Sequence, residues 1–262
     1  MLVDSHCHIP LMDTADADVV LAEAQASDVG HLLCVSVDLE TWPPVLDLAR
    51  RYPQVFASVG VHPNHEVEHE PDVDELVRLA ADPDVVAIGE TGLDYFRSEG
   101  DLEWQRERFR THIRAAKQAS KPLIIHSRDA RTDTIRVLQE EGADAVGGVM
   151  HCFVEDLHTA EQAMELGFYI SYSGIVTFKN ATEVQAAARE IPLQRLLVET
   201  DSPYLAPMPY RGKPNQPAWV RHVAEFLAAM RGESYADLAT ATTNNFFTLF
   251  KDARRLDTET VR

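Results

Sequence analysis

Eight short apolar runs of strand character recur along the chain: Leu2–Asp4, Leu32–Val37, Val55–Val61, Val85–Gly89, Leu123–His126, Gly148–His151, Tyr169–Tyr172 and Leu196–Thr200. Between them lie segments of helical period built from good helix formers, among them Asp18–Ala26, Val45–Arg51, Val73–Ala81, Leu102–Ala119, Arg131–Glu141, Thr159–Leu166 and Ala181–Glu190. Strands that alternate with helices indicate a parallel sheet. Eight such units in 262 residues predict a closed (β/α)8 TIM barrel of the α/β class, with one domain spanning residues 1–262. An open, doubly wound sheet is the alternative, but no Gly-x-Gly-x-x-Gly turn follows the first run.

A Pro-rich loop, Ser202–Pro217, follows the eighth run and excludes regular helix or central strand. It leads into an amphipathic segment, Ala218–Met230, and a last one from Ser234 to Phe250. There Ser234 and Asp237 have the spacing of a capping box, and Phe246, Phe247, Leu249 and Phe250 form a face to pack on the barrel. The charged tail from Asp252 to Arg262 is expected to fray.

No apolar run approaches the roughly 20 residues a membrane helix needs, and the N-terminus shows no basic segment or cleavage signature. A soluble, cytoplasmic chain is expected, with no membrane association and no obligate protein partner. Cys7, Cys34 and Cys152 lie in or beside candidate strands, and an odd count fits poorly with a disulfide framework, so they read as small buried thiols. The formal charge of −18 opposes non-specific binding to long nucleic acid. A phosphate-bearing substrate must therefore meet a local exception, which bound cations and a few Arg or Lys at the mouth of a site can supply.

If the barrel is right, chemistry belongs at the C-terminal ends of its strands. The ligand-type residues fall there. His6 and His8 close the first run, and strand alternation points both imidazoles to one side with Cys7 opposite. His62 and Glu90 follow the third and fourth runs, His126 and His151 end the fifth and sixth, and Glu199 and Asp201 stand at the end of the eighth. A lone His after an apolar run is more often a hydrogen-bonded core residue. A joint pattern at the same end of six units marks a metal site.

The motifs Asp4-Ser5-His6-Cys7-His8, Gly60-Val61-His62-Pro63, Gly89-Glu90-Thr91-Gly92-Leu93-Asp94-Tyr95, His126-Ser127-Arg128, His151-Cys152-Phe153, Glu199-Thr200-Asp201-Ser202-Pro203-Tyr204-Leu205 and Tyr210-Arg211-Gly212-Lys213 occur in order over essentially the whole chain. In them the chain resembles the TatD family of metal-dependent hydrolases, within the amidohydrolase-like barrels. The resemblance implies two divalent ions, one held by His6, His8 and Asp201, the other by His126 and His151, with Glu90 bridging both. It further implies activity with Mg²⁺ or Mn²⁺, whereas four imidazoles favour Zn²⁺, Mn²⁺ or Fe²⁺ as the ions retained.

Asp201 is either a ligand, a general base, or both in turn. Glu199, two residues earlier on the same face, either orients a ligating His or lines the barrel interior. His62 is directed at a substrate phosphate or braces its turn, and Arg128 clamps a phosphate oxygen or pairs with a surface carboxylate. Arg211 and Lys213, in the Pro-rich loop, are the candidates for the local basic exception. Tyr95, Phe153 and Tyr204 either stack on a base or pack in the core. His31, His69, His112, His158 and His222 read as solvated or structural, and Trp42, Trp104 and Trp219 as packing.

The leading functional reading is a metal-dependent phosphodiesterase that trims single-stranded DNA ends as a 3′–5′ exodeoxyribonuclease. An end-on substrate needs only a few phosphate contacts, so an acidic body is a smaller obstacle. Ester or amide hydrolysis at the same site is the alternative, because the ligands are indifferent to whether phosphorus or carbon is attacked. A non-catalytic protein with structural metals is a third reading, disfavoured because structural sites are closed rather than spread around a barrel mouth.

Overall fold

A computed structural model describes residues 1–12 and 16–256. Eight strands, β1 (Leu2–Cys7), β2 (Val29–Cys34), β3 (Val55–Val59), β4 (Val85–Asp94), β5 (Leu123–Arg128), β6 (Gly148–Met150), β7 (Phe168–Tyr172) and β8 (Leu196–Val198), form one sheet in sequential order. Each neighbouring pair is parallel. The helices are α1 (Ala17–Ala26), α2 (Trp42–Arg51), α3 (Val73–Ala80), α4 (Glu103–Ala119), α5 (Arg131–Glu140), α6 (Leu157–Glu165), α7 (Thr182–Glu190), α8 (Val220–Arg231) and α9 (Tyr235–Leu249). This is the expected (β/α)8 barrel. No helix among the described residues is long and apolar enough to cross a membrane.

The barrel closes between β1 and the segment after β8. A single bridge joins Cys7 to Ser202, Asp201 N–H donates to His6 O at 2.9 Å, and His8 N–H donates to Ser202 O at 2.8 Å. Below them the fully buried Asp4 carboxylate accepts from Thr200 N–H at 2.8 Å and from the Thr200 hydroxyl at 2.6 Å. These bonds use up backbone groups that closure would otherwise leave without partners. They also bring His6, His8 and Asp201 to one edge.

Strand ends differ from the apolar runs because hydrophobicity reports burial, whereas a strand ends where its ladder does. β4 continues through Glu90 to Asp94, since Gly92, Leu93 and Asp94 pair with His126, Ser127 and Arg128 of β5. β8 stops at Val198, and Asp201 turns left-handed at φ 58°.

Inside the barrel, Val3, Leu33, Phe56, Val86, Ile124, Val149 and Leu197 pack with Phe246 and Leu249 of α9 and with Phe250 just after it. α9 seals the N-terminal end of the strands: Asn245 donates to Leu196 O and Thr243 to Met1 O, at 2.8 and 2.9 Å. Its start is capped as expected, with Ser234 Oγ accepting from Asp237 N–H and donating to the Asp237 carboxylate. The tail departs from expectation over residues 252–256. Lys121 pairs with Asp252 at 2.7 Å, the Arg255 guanidinium donates to Asn244, and Leu256 N–H donates to His31 Nε2 at 3.1 Å. A buried lysine and a buried histidine at the barrel base need these partners, so the tail docks there; residues 257–262 of that expected fray lie outside the described residues. Trp104 also departs from a packing role, being 45% exposed with the Arg108 guanidinium 5.0 Å from its ring centre.

Candidate metal centre

Glu90 occupies the middle of the cluster because β4 carries it past the barrel core on an inward-facing position, where its side chain is 3% exposed. Its two oxygens face different neighbours. Oε2 lies 3.3 Å from His6 Nε2 and 3.8 Å from His8 Nε2. Oε1 lies 2.9 Å from His151 Nε2, 3.0 Å from His126 Nδ1 and 3.6 Å from His62 Nε2. Asp201 Oδ1 joins the first group, 3.4 Å from His8 and 3.7 Å from His6. All six residues expected as ligands are thus brought together.

Hydrogen bonds outside the cluster fix what His8, His151, His126 and His62 offer inside it, whereas the buried His6 Nδ1 has no partner among the described residues. His8 Nδ1 donates to Val35 O at 3.0 Å, and His151 Nδ1 donates to Glu199 Oε1 at 2.9 Å. His126 Nε2 faces Asp94 Oδ2 at 3.2 Å. In each case the outer nitrogen is held as the donor, so the inner nitrogen facing the carboxylates is the one whose proton an ion would replace, the arrangement a ligating imidazole needs. His62 is the reverse: its Nδ1 accepts from Asn64 N–H at 3.1 Å, so the neutral ring carries its proton on Nε2. It presents a donor to the cluster.

The donor set fits divalent ions. Ligands at about 2.0–2.2 Å from a tetrahedral or octahedral ion stand about 3 Å or slightly more from each other. His6 Nε2 and His8 Nε2 are 3.1 Å apart, with Glu90 and Asp201 oxygens at 3.3–3.8 Å. Electrostatics points the same way. Burial pushes His8 down, but Asp201 and Glu90 outweigh it and hold the ring at about 9. His151 is likewise raised against its burial by Glu90 and Glu199. Burial raises Glu90, yet His151, His62 and His6 hold it well below the usual carboxylate range. Asp201 is lowered despite burial by its bond to His8. A centre negative enough to keep protons on buried imidazoles is one where a divalent cation can displace them.

Glu199 is fully buried, and its Oε1 also accepts from Cys152 N–H at 2.8 Å. Of its two sequence readings, the one that orients a histidine matches this geometry. Cys152 Sγ faces Ser173 Oγ at 3.0 Å and stands outside the donor cluster.

A cavity of about 630 Å³ opens over the cluster, and His62, Arg128 and Tyr204 line it. Four other candidate substrate contacts are placed elsewhere. The Tyr95 hydroxyl donates to Asp133 at 2.7 Å and accepts from Arg106 at 3.0 Å, so its polar end is committed to α4 and α5. Arg211 and Lys213 are exposed and outside the lining, because the Pro-rich loop folds sideways: Tyr210 stacks on Trp219 with centroids 4.2 Å apart, and the Arg211 guanidinium sits 4.4 Å from the Phe178 ring centre. Phe153 is buried edge-to-face against Tyr172.

Several residues in or beside the cavity were not singled out from sequence. Asp94 lies on the same strand face as Glu90, a placement that alternation gives once β4 is known to continue. His65, three residues after His62, holds its Nε2 2.9 Å from the buried Asp38 carboxylate. Phe96 and Arg97 follow Asp94, whose carboxylate caps their backbone N–H groups at 3.0 Å each.

The β3 end that carries His62 is held by α4. Arg108 donates to His62 O and His65 O, both at 2.9 Å, and pairs with Glu70. His112, fully buried, donates from Nδ1 to Arg108 O at 2.8 Å and accepts from Val61 N–H at Nε2 at 3.0 Å. Burial, against the Arg108 carbonyl that holds its Nδ1–H, pushes this ring down to about 4. A depressed imidazole contributes stability that is complete above its ordinary 6.5 and is lost as pH falls through 4, because the unfolded chain takes the proton first. About 2 kcal/mol of stability is therefore expected to disappear between pH 7.5 and 5 through this ring. Denaturant unfolding at both pH values should show that drop shrinking by this amount in His112→Gln; an unchanged drop excludes the ring as its source.

Comparison with known proteins agrees with a metal-dependent hydrolase. A sequence model of the family described as TatD related DNase matches residues 3–251. The chain is 51% identical over 261 residues to the "uncharacterized metal-dependent hydrolase YcfH" of Escherichia coli K12, covering 97% of this chain and 98% of that protein. It is 34% identical over 241 residues to the "3'-5' ssDNA/RNA exonuclease TatD" of Escherichia fergusonii, covering 90% and 93%. The crystal structure of YJJV, a TatD homologue from Escherichia coli K12, superposes with a TM-score of 0.90 at 30% identity, covering 95% of this chain and 98% of that one. With its histidine and carboxylate cluster at the mouth of such a barrel, the chain belongs to the TatD-related DNase family and is a metal-dependent hydrolase.

Proposed function

We propose that this protein is a phosphodiesterase that removes nucleotides from single-stranded DNA ends in the 3′–5′ direction, using two divalent ions. The observation that carries the reading is the division of the Glu90 carboxylate between two groups of imidazoles beneath a cavity lined by Arg97 and Arg128. The neighbouring Arg106 and Arg131 pair with Asp101, Glu103 and Asp156, whereas among the described residues Arg97 and Arg128 make no such ion pair. Two cations free to meet an anion, in a chain of charge −18, favour a phosphodiester over a neutral ester or amide.

His6, His8 and Asp201 would hold one ion and His126 and His151 the other, with Glu90 shared. Bound there, divalent ions activate water at neutral pH and offset charge on phosphorus; Mg²⁺ or Mn²⁺ serves turnover, and Zn²⁺ or Fe²⁺ suits the imidazoles as the ions retained. The chain's own groups do the rest. Asp201 stays ionised and, at 15% exposure, is the more open of the two carboxylates, so it receives the proton that water gives up. His62 is pushed down to about 3 by burial and by His126 and His151, so it remains neutral and offers its Nε2–H to a phosphate oxygen. Arg128 takes a second oxygen.

End-labelled single strands with added Mg²⁺ or Mn²⁺ should release mononucleotides, and Asp201→Asn should lower that release by about a thousandfold. Cleavage of aminoacyl esters or cyclic amides by the same preparation, without cleavage of strands, overturns the reading. Glu199→Ala leaves His151 Nδ1 and Cys152 N–H without their acceptor. It should weaken metal binding about 10–100-fold, read by competition with a chromogenic chelator; unchanged affinity counts against an orienting role.

A further inference from the structure

Among the described residues, large apolar side chains are exposed at few places, and several of them gather at the mouth of the cavity. Phe96 is 60% exposed, Tyr204 55%, and Leu11 and Val154 36% each. Leu11, Val154 and Tyr204 line the cavity directly. Phe96 lies beneath Arg128, whose guanidinium carbon is 3.9 Å from the ring centre and which also lines it. Apolar surface concentrated around a polar, charged site is a mark of something that binds there.

We propose that the Phe96–Arg128 stack and Tyr204 form a base-stacking subsite that takes the unpaired terminal nucleotides of a single strand. The inference rests on the phosphodiesterase reading and adds how the substrate is chosen. A nucleobase stacks on an aromatic ring or on a guanidinium plane whatever its identity, so such a subsite is tolerant of sequence. An arginine whose guanidinium sits over a ring keeps N–H groups available, which lets Arg128 hold a base by its face and a phosphate by its N–H groups. Stacking is also little affected by net charge, whereas the −18 of the chain repels the phosphate backbone at long range. A paired end keeps its bases stacked on one another, and unstacking them costs a few kcal/mol. The subsite therefore selects frayed or single-stranded ends over blunt duplex.

The test uses the full chain with Mn²⁺ and three substrates of one sequence: a single strand, the same strand with its two terminal nucleotides made abasic, and a blunt duplex. kcat/KM for the abasic end should fall about tenfold below that for the intact end, and the duplex should fall at least as far. Phe96→Ala and Tyr204→Ala should each bring the intact-to-abasic ratio toward one, while Phe96→Trp retains it. That ratio does not move if the side chains merely support the fold. Wild-type protein that cleaves intact and abasic strands within twofold of each other overturns the subsite and leaves the phosphodiesterase standing, as does an undiminished ratio in both alanine variants. Failure to cleave any strand overturns the phosphodiesterase and the subsite with it.

Discussion

Glu90→Ala is expected to lower hydrolytic turnover by a thousandfold or more and to empty both halves of the metal centre together. A factor of a thousand corresponds to about 4 kcal/mol of transition-state stabilisation. The size follows from position: Oε2 faces the His6 and His8 pair and Oε1 faces His126 and His151, so one side chain serves both groups. Its removal leaves Asp201, among the described residues, as the only carboxylate within salt-bridge distance of His6 and His8. Elemental analysis after dialysis should find less than one ion per chain, alongside loss of label release. Glu90→Gln separates charge from shape, since it fills the same volume without the negative charge; it should fall nearly as far. Wild-type turnover in either variant, with the fold intact by circular dichroism, removes Glu90 from the mechanism.

Gly92→Ala is expected to cost about 4 kcal/mol of stability, which lowers the melting temperature by about 10 °C in a chain of this size. Two causes add. Gly92 sits at φ 139°, where a side chain is strained, at a cost of about 1–3 kcal/mol. A Cβ there would also lie 2.0 Å from the backbone oxygen of His126, and a backbone atom in a central strand cannot step aside, which costs about as much again. Relief by spreading β4 from β5 would carry Glu90 and His126 apart, so metal affinity should fall along with stability. Differential scanning calorimetry and metal titration on one preparation check both; a variant that melts within 2 °C of the wild type contradicts the contact.

The aromatic pair beside these strands shows where reading from sequence stops. Tyr95 and Phe96 are adjacent, and either is chemically able to stack on a base. Arg106, 11 residues on, and Asp133, 38 residues on, meet the Tyr95 hydroxyl and hold it on α4 and α5, while Phe96, with no polar atom to satisfy, stays exposed under Arg128. The same holds for Arg211 and Lys213. Their proline-rich surroundings identify a loop, but the direction of that loop was decided by the stacking of Tyr210 on Trp219. In sequence His112 reads as solvated or structural, and its grip on Val61, next to His62, is visible only once α4 lies against the end of β3.

The order of apolar runs and helical segments was enough to specify a parallel eight-stranded barrel, and the positions of His6, His8, Glu90, His126, His151 and Asp201 after those runs were enough to place them at one end. Both follow from local periodicity, which is written residue by residue. Tertiary packing alone decided which nitrogen of each ring faces inward, which oxygen of Glu90 serves which group, and which cations and aromatics reach the cavity. Those choices depend on single hydrogen bonds to residues such as Val35, Asp94 and Glu199, and a lone pair is aimed by its partner in space, whatever its neighbours in the chain.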